Sequence, residues 1–389
     1  MITVGLITRI FLPHIGGIET LTYDIAKGLS ELNVSVKVLT SRFDKTLSKE
    51  ELMDDIRIRR YKPMPYFGQF SFSPEFMGAL DTDLDIVHFI SCYPSFLNWY
   101  GVQFYKMKEI PRVYTTIWPI PLTFNLYRKP YIKRILGCFY DNVLLTMILS
   151  RVNAVVTLTS GEAKVYRKLL KDKIPVYVVP EAVELPRNLS SSLLNRVRED
   201  YNLHENEVTL GLFGRVVRYK RIDLAIKALR LVNKKLKAKL IVVGPINDED
   251  YFRQIKSMVV TYGLKNRVIF TGKVSFEVRD ALYSIIDLVV HTSEYEAFVR
   301  PALEGWRYKK PIASFNLSPA SDFIEEEKGG VVTKRWGDYI ELAKLIEEII
   351  KRNIANELGE NGHKALMKKY TKDKVALSYL HIYKKVLCT

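Results

Sequence analysis

"SEYEAFVRPALEGWRYKKPIA", Ser293 to Ala313, sets Glu296 and Glu304 on either side of Pro301 in a run rich in apolar residues, and its reading decides the fold. Proline is unsuited to a helix interior but favoured at its first position, where the missing N–H would have no partner, so a helix starts near Pro301. Upstream, "LYSIIDLVVHTS" (Leu282 to Ser293) ends in a short apolar run, Ile286 to Val290 broken by Asp287, that reads as a buried strand. The segment is strand, loop, helix. Glu296 then lies at the strand's carboxyl end and Glu304 about one turn into the helix, so both can face the crevice where open α/β sheets bind ligands. The free N–H groups of the helix start favour an anion in the same crevice. Carboxylates beside an anion are suited to hydroxyls, and a nucleotide sugar carries both groups. A plainer reading makes Glu304 an exposed first-turn carboxylate favoured by the helix dipole. This stretch alone leaves both open.

Outward from it, short β-branched runs alternate with longer helical patterns, the signature of parallel sheets covered by helices on both faces. The first series of predicted strands is Thr3 to Ile7, Val34 to Leu39, Ile86 to Phe89, Arg112 to Thr115, Ala154 to Leu158 and Val176 to Val179. The second is Thr209 to Phe213, Leu240 to Val243, Val268 to Phe270, Leu288 to His291 and Ile312 to Ser314. Leu185 to Glu207, with a polar serine run and a short helical pattern, forms the junction. The expected fold class is α/β: two Rossmann-like, doubly wound domains facing a cleft, over residues 1–187 and 208–370. Thr371 to Leu387 has helical periodicity, with Val375, Leu377, Leu380, Ile382, Tyr383 and Leu387 apolar, and residues 371–389 are expected to pack back on the first domain.

The 389 residues carry a net charge of +16 and three cysteines, Cys92, Cys138 and Cys388. An odd number without metal-like spacing argues against a disulfide framework and suits a reducing, cytoplasmic compartment. Met1 runs straight into an apolar strand, so no signal peptide is expected. The apolar window Ile135 to Leu149 is interrupted by Asp141 and Asn142 and is too short to span a bilayer. The positive charge calls for an anionic partner: nucleic acid, a membrane surface or a phosphorylated substrate. The lack of a zinc spacing, helix-turn-helix signature or RNP motif argues against nucleic acid. Phe89 to Leu145 interleaves aromatic and basic residues, a pattern that suits peripheral contact with an anionic membrane surface at the inner face of the cell membrane, or an apolar acceptor.

Strand Thr209 to Phe213 runs into Gly214 and then Arg215, Arg218, Lys220 and Arg221 ahead of a helix. Cations at a helix start are disfavoured by its dipole, so an anion is expected between them; a diphosphate suits the fork of an arginine and the point charge of a lysine. Here the residues carry a family resemblance. "LFGRVVRYKRIDLAIKAL", "NRVIFTGKV", "DLVVHTSEYEAFVRPALEG" and "KGGVVT", in that order and spacing, resemble the retaining glycosyltransferases of family 4 (glycosyl transferases group 1), which have the GT-B fold. In the first half "FLPHIGGIETLTYDIAKGL", "DLDIVHF" and "VVTLTS" extend the resemblance over nearly the whole chain. It implies an acceptor domain followed by a nucleotide-sugar donor domain. Arg215 and Lys220 would bind the donor diphosphate and stabilise the leaving group, Glu304 would hold the ribose, and Glu296 the hydroxyls of the transferred sugar. Lys273 and Val274 would offer backbone groups to the base. Gly16, Gly17 and Gly214 would let backbone approach the donor, and Phe298, Val299 and Arg300 would lead into the helix start that receives the diphosphate.

The implied activity is retaining and metal-independent transfer of a sugar from a UDP or GDP sugar to a glycan or lipid-linked acceptor, with no cofactor. Retention would come from front-face attack, the leaving phosphate taking the acceptor's proton. The acidic triplets at Asp81 to Asp85 and Asp248 to Asp250 mimic a metal-binding pattern but read as a strand approach and a solvated helix start. The chain departs from the family at Trp118, where a histidine is usual, at Ala297 and Val299 for glycines, at Arg300 for leucine, and at Glu181 and Ala182 for Asn-Gly. Trp118 and His88 are expected on the acceptor or sugar side, although a strand-end histidine is also a common core residue. The departures keep two alternatives open, a nucleotide-sugar epimerase of the same fold and a non-catalytic sugar-nucleotide-binding subunit.

Overall fold

The computed structural model describes residues 2–14, 16–62, 75–76, 80–91, 96–117 and 140–388. Trp118, Cys92, Cys138 and part of the aromatic stretch between Phe89 and Leu145 lie outside the described residues. The chain forms two compact units, Met1–Ala182 with Thr371–Thr389, and Val183–Tyr370.

The first unit holds strands β1 (Thr3–Ile7), β2 (Ser35–Ser41), β3 (Glu50–Met53), β4 (Ile56–Tyr61), β5 (Ile86–Ser91), β6 (Arg112–Thr116), β7 (Ala154–Thr157) and β8 (Val176–Val178). They form one sheet in the order β3-β4-β2-β1-β5-β6-β7-β8. All pairings are parallel except β3 with β4. The sequence reading missed this hairpin, because "EELMDDIRIRRY" is too charged to show an apolar run. Its turn is Asp54-Asp55, both at positive φ (49° and 64°), the conformation of a tight two-residue hairpin turn. Helices α1 (Gly17–Glu31), α2 (Phe96–Met107) and α3 (Ser160–Leu170) connect the strands.

The helix Lys372–Leu387 returns to this unit. It lies so close to α1 that a Cβ on Gly28 would stand 2.7 Å from the Ala376 methyl, and Lys372 reaches Asp24 at 3.1 Å. Its buried face is Val375, Ala376, Tyr379, Ile382, Tyr383 and Val386. That corrects the expected apolar face at Leu377, which is 46% exposed. The periodicity was right in type but turned by part of a turn, because two tyrosines form the buried stripe.

Helix α3 begins with a capping box. Thr159 Oγ1 accepts from the Glu162 N–H at 3.2 Å, and Glu162 Oε2 accepts from the Leu158 N–H at 3.0 Å. Burial, reinforced by the like charge of Glu181 and opposed by the backbone donors, pushes the Glu162 carboxyl up from 4.5 to about 8. An acid raised on folding binds its proton more tightly in the native state, so its contribution favours folding below the unfolded value and is lost as pH climbs to the folded one. The unfolding free energy from urea titrations is therefore expected to fall between about pH 4.5 and pH 8, by up to about 1.4 kcal/mol per pH unit from this group. Glu162→Gln should flatten that slope; an unchanged slope would refute the assignment.

The second unit holds β9 (Val208–Phe213), β10 (Ala238–Val243), β11 (Val268–Gly272), β12 (Leu288–His291), β13 (Ile312–Ser314) and β14 (Gly330–Val332). They form a parallel sheet in the order β11-β10-β9-β12-β13-β14. Its longer helices are α4 (Ser191–Asp200), α5 (Ile222–Val232), α6 (Glu249–Thr261), α7 (Phe276–Ile285), α8 (Arg300–Arg307), α9 (Tyr339–Lys351) and α10 (Ala355–Ala365). Leu210, Leu212, Leu240, Val242, Leu288 and Val290 on the strands pack against Ile226, Leu229, Leu342 and Ile346 of α5 and α9. These are the two doubly wound α/β halves expected from the alternation of strands and helices. No described helix is long and apolar enough to cross a membrane.

Candidate active site

In the six-stranded sheet, β10 and β11 lie on one side of β9, and β12 to β14 on the other. The strand order therefore reverses between β9 and β12, the place where open α/β sheets bind ligands, outside the carboxyl ends of their strands. The basic loop Gly214–Arg221 follows β9, and the acidic loop Thr292–Val299 follows β12. Both stretches singled out in the sequence thus flank one switch point.

Hydrogen bonds tie the loops together. Thr292 Oγ1 donates to the Lys220 carbonyl at 2.9 Å, the Glu294 N–H donates to the Tyr219 carbonyl at 2.6 Å, and Trp336 Nε1 donates to the Ser293 carbonyl at 2.8 Å. The rings of Tyr219 and Tyr295 stack at 4.8 Å. Across this seam the Lys220 ammonium binds the Glu296 carboxylate directly. Ser293 Oγ donates to the same carboxylate oxygen at 2.8 Å, and His291 Nε2 stands 3.6 Å from it. Burial pushes the Glu296 carboxyl up, but Lys220 and His291 outweigh it and hold the group at about 2. Glu296 is therefore a carboxylate at neutral pH, an acceptor for hydroxyl donors.

All four loop cations have side-chain partners. Arg218 binds Gln254 at 3.0 Å and Asp248 at 3.5 Å, and Arg221 forms a bidentate pair with Asp223 at 3.0 Å on each arm. The other two, Arg215 and Lys220, are the pair expected to take the diphosphate. Arg215 is exposed, and its Nη2 donates to Tyr219 Oη at 3.0 Å.

Three glycines floor the site, at the ends of adjacent strands: Gly214 (φ +148°) after β9, Gly244 (φ +149°) after β10 and Gly272 (φ +67°) at the end of β11. Gly214 N–H donates to the Val243 carbonyl at 2.9 Å, and Gly244 N–H to the Gly272 carbonyl at 3.1 Å. A Cβ on Gly214 would lie 3.4 Å from Lys220 Nζ, so the ammonium rests over bare backbone.

Helix α8 starts at Arg300 with Pro301 in its first turn, as the proline required. Glu304 is not the exposed carboxylate of the plainer reading; it is 8% exposed. Tyr283 Oη donates to its Oε2 at 2.8 Å, while Oε1 stands 3.4 Å from Arg300 Nε and 3.8 Å from Arg279 Nη1. Burial alone would raise this carboxyl, but Arg279, Arg300 and the Tyr283 hydroxyl lower it below its usual value. Tyr283 is itself clamped against Phe213 of β9, ring on ring at 3.6 Å.

Residues 195–365 match the family described as Glycosyl transferases group 1, and residues 15–187 match Glycosyltransferase Family 4. The chain belongs to the group 1 glycosyltransferases. An uncharacterised glycosyltransferase of Methanocaldococcus jannaschii is 23% identical over 97% of both chains. The alpha-monoglucosyldiacylglycerol synthase of Streptococcus pneumoniae is 23% identical over 91% of this chain and 80% of its own. Among solved structures, Anabaena HepE in complex with UDP and glucose superposes with a TM-score of 0.75 at 18% identity, over 99% of this chain and 100% of its own. The fold of this glycosyltransferase is GT-B.

The remaining expected residues divide between loop and core. Lys273, exposed, and Val274, half-buried, follow Gly272 in the loop between β11 and α7. Phe298 stacks on Phe323 at 4.4 Å and Val299 is fully buried, so those two side chains belong to the core and only their backbone can meet a ligand. In the first unit Gly16 caps α1 and Gly17 opens it, and a Cβ on Gly17 would meet nothing within 4 Å. His88 corrects the expectation of an acceptor-side residue. It is 0% exposed on β5, with Nδ1 2.6 Å from Tyr383 Oη and Nε2 2.6 Å from Thr115 Oγ1, and burial lowers its pKa to about 3. It is a neutral core histidine that fastens the returning helix.

The acidic triplets are accounted for locally: Asp81 pairs with Lys37 at 2.8 Å, and Asp248 caps α6 by accepting from the Tyr251 N–H at 2.9 Å. Among the described residues no group of three or more His, Cys, Asp or Glu side chains is placed to hold a metal. The sequence reading missed His291, Ser293, Tyr283, Arg279 and Gly244. A signal existed for the last of these, because "LFG", "VVG" and "FTG" repeat a glycine after an apolar strand three times.

Proposed function

We propose that this glycosyltransferase is retaining and metal-independent, and moves a sugar from a UDP or GDP sugar to a glycan or lipid-linked acceptor. The observation that carries the reading is the Lys220–Glu296 pair closed across the β9–β12 switch point. It places a cation for a phosphate and a carboxylate for hydroxyls on adjoining atoms. One of the three ammonium protons of Lys220 serves Glu296, which leaves others for a phosphate oxygen. Arg215 supplies the second cation, and the backbone at Phe298 to Arg300 leads the diphosphate to the start of α8. Glu304 accepts the ribose hydroxyls, Glu296 accepts those of the sugar, and the backbone of Lys273 and Val274 meets the base. In the first unit the open backbone of Gly17 suits the same class of anion.

As the bond from the anomeric carbon to the diphosphate breaks, negative charge grows on the leaving oxygen, where Arg215 and Lys220 act. The acceptor oxygen bonds the anomeric carbon on the same face and passes its proton to the departing phosphate, so no glycosidase-type carboxylate pair is needed. The HepE complex with UDP and glucose supports a nucleotide-sugar donor, and the pneumococcal relative, named for a glycolipid product, supports a lipid-linked acceptor. The net charge of +16 suits an anionic membrane surface on the cytoplasmic side for such an acceptor. Titration of UDP, GDP, ADP and CMP with EDTA present tests the donor side. One diphosphate is expected to bind, with an affinity that added magnesium leaves unchanged. Binding of none would overturn the reading, and binding only with magnesium would overturn its metal independence.

A further inference from the structure

Three groups converge on one oxygen of Glu296. Lys220 and Ser293 both hydrogen-bond Oε1, and His291 Nε2 stands 3.6 Å from it, beyond hydrogen-bond reach. His291 closes β12 and is 3% exposed, and this nitrogen makes no hydrogen bond among the described residues. The cause is a shortage of protons along a chain of groups. Ser314 Oγ, on β13, donates to the Phe315 carbonyl at 2.9 Å, so toward His291 Nδ1, 3.2 Å away, it offers a lone pair. Nδ1 must then carry the ring's proton. Burial lowers the pKa of His291, with the push of Lys220 and against the pull of Glu296, so the ring is neutral and holds a single proton. Nε2 is therefore a bare lone pair facing a carboxylate oxygen, and two acceptors do not close. The other tautomer moves the shortage elsewhere. With the proton on Nε2 the ring donates to Glu296, Ser314 donates to Nδ1, and the Phe315 carbonyl loses its hydroxyl. Which arrangement wins depends on Lys220. While the ammonium binds Oε1, the carboxylate has its cation and the proton stays on Nδ1. Once the ammonium is drawn to a phosphate, Glu296 keeps only Ser293 on that oxygen, and a hydrogen bond to a carboxylate is worth about twice one to a neutral carbonyl.

We propose that His291 is a positioning residue for the transfer: it carries its proton on Nε2 and donates to Glu296 Oε1 as Lys220 is drawn onto the leaving diphosphate, and so keeps the carboxylate fixed toward the sugar's hydroxyls. The inference rests on the donor-site reading given above. No proton is gained or lost overall. The ring gives up the proton at Nδ1 and takes one at Nε2 by exchange with water, and Ser314 turns its own proton from the Phe315 carbonyl to Nδ1. Lys220, Ser293 and His291 all address Oε1, so Oε2 remains for the hydroxyls. A nucleoside offers Lys220 no phosphate and leaves the proton on Nδ1.

The test is nitrogen-15 NMR of the full chain labelled on its histidine rings, in which protonated and bare ring nitrogens give separate resonances, with His291→Gln assigning the signal among six histidines. The proton is expected on Nδ1 in the free chain and with saturating uridine or guanosine, and on Nε2 with whichever of UDP and GDP binds. The same tautomer with and without that diphosphate would overturn the proposal, and so would a ring protonated on both nitrogens in the complex. Calorimetry of two variants gives a second readout, because a glutamine amide can stand where Nε2 stands and an asparagine amide only where Nδ1 does. His291→Asn is expected to weaken the diphosphate about tenfold and the matching nucleoside by less than about twofold, while His291→Gln stays within about threefold of the unaltered chain for both. Equal weakening of diphosphate and nucleoside in His291→Asn would overturn the proposal, because the residue would then act only through packing. Diphosphate binding by His291→Asn as tight as that of the unaltered chain would overturn it as well. Failure of the unaltered chain to bind UDP or GDP would sink the donor-site reading and this proposal with it, and is told apart because neither variant nor label is needed to see it.

Discussion

Lys220→Met is expected to lower the rate of sugar transfer by about 10²–10³-fold while leaving the chain folded. Lys220 is the cation the geometry commits most fully to the crevice: its side chain is 13% exposed, lies over the bare backbone of Gly214, and contacts the carboxylate expected to hold the sugar. Methionine retains most of the apolar stem, so the packing survives and the charge is what is lost. Glu296 then loses the main cation that opposes its burial, and its carboxyl must rise from about 2. A depressed acid keeps its charge until pH falls to the folded value, so the unaltered enzyme should show no acid limb from Glu296 at moderately acidic pH. In Lys220→Met that limb should move up in pH. Steady-state kinetics at saturating donor across pH 4 to 9, with circular dichroism to establish folding, would show both effects. Turnover like that of the unaltered enzyme in a folded Lys220→Met would remove Lys220 from the chemistry.

Much of this site could be read from the sequence because its parts are local. Pro301 marks a helix start next to an apolar run, and β12 shows Leu288, Val289 and Val290 as a continuous apolar stretch. Glu296 and Glu304 follow from those two boundaries by counting. The rest depended on pairing between distant segments. Tyr283 lies 21 residues before Glu304, and Thr292 lies 72 after Lys220, so nothing local announces that either pair meets. His88 shows the same limit from the other side. Its place at a strand end suggested a ligand contact, but Tyr383, 295 residues away, brings a hydroxyl to one ring nitrogen and makes it a core residue. Charge misled where geometry was strong: the β3–β4 hairpin has alternating burial on its inner strand, yet its arginines hid it.

Gly244→Ala is expected to destabilise the second unit by about 3–5 kcal/mol and to abolish nucleotide binding, although residue 244 carries no side chain to offer. Two separate costs meet there. The backbone holds φ at +149°, where any Cβ is strained. The methyl would also stand 2.2 Å from the Gly214 carbonyl oxygen and 2.7 Å from its carbonyl carbon, inside van der Waals contact with main chain that cannot rotate away. Relief requires the β9 loop to shift, and that loop carries Arg215 and Lys220. The damage should therefore appear in binding as well as in stability. Gly263→Ala separates the two costs. Gly263 also has positive φ, +68°, but its Cβ would meet nothing within 4 Å. Only backbone strain applies there, worth about 1–2 kcal/mol, with donor affinity unchanged. Urea unfolding and calorimetry of both variants decide the matter. If Gly244→Ala is no less stable than Gly263→Ala and binds the diphosphate as tightly as the unaltered chain, the close approach of Gly214 and Gly244 is not what sets the cation loop in place.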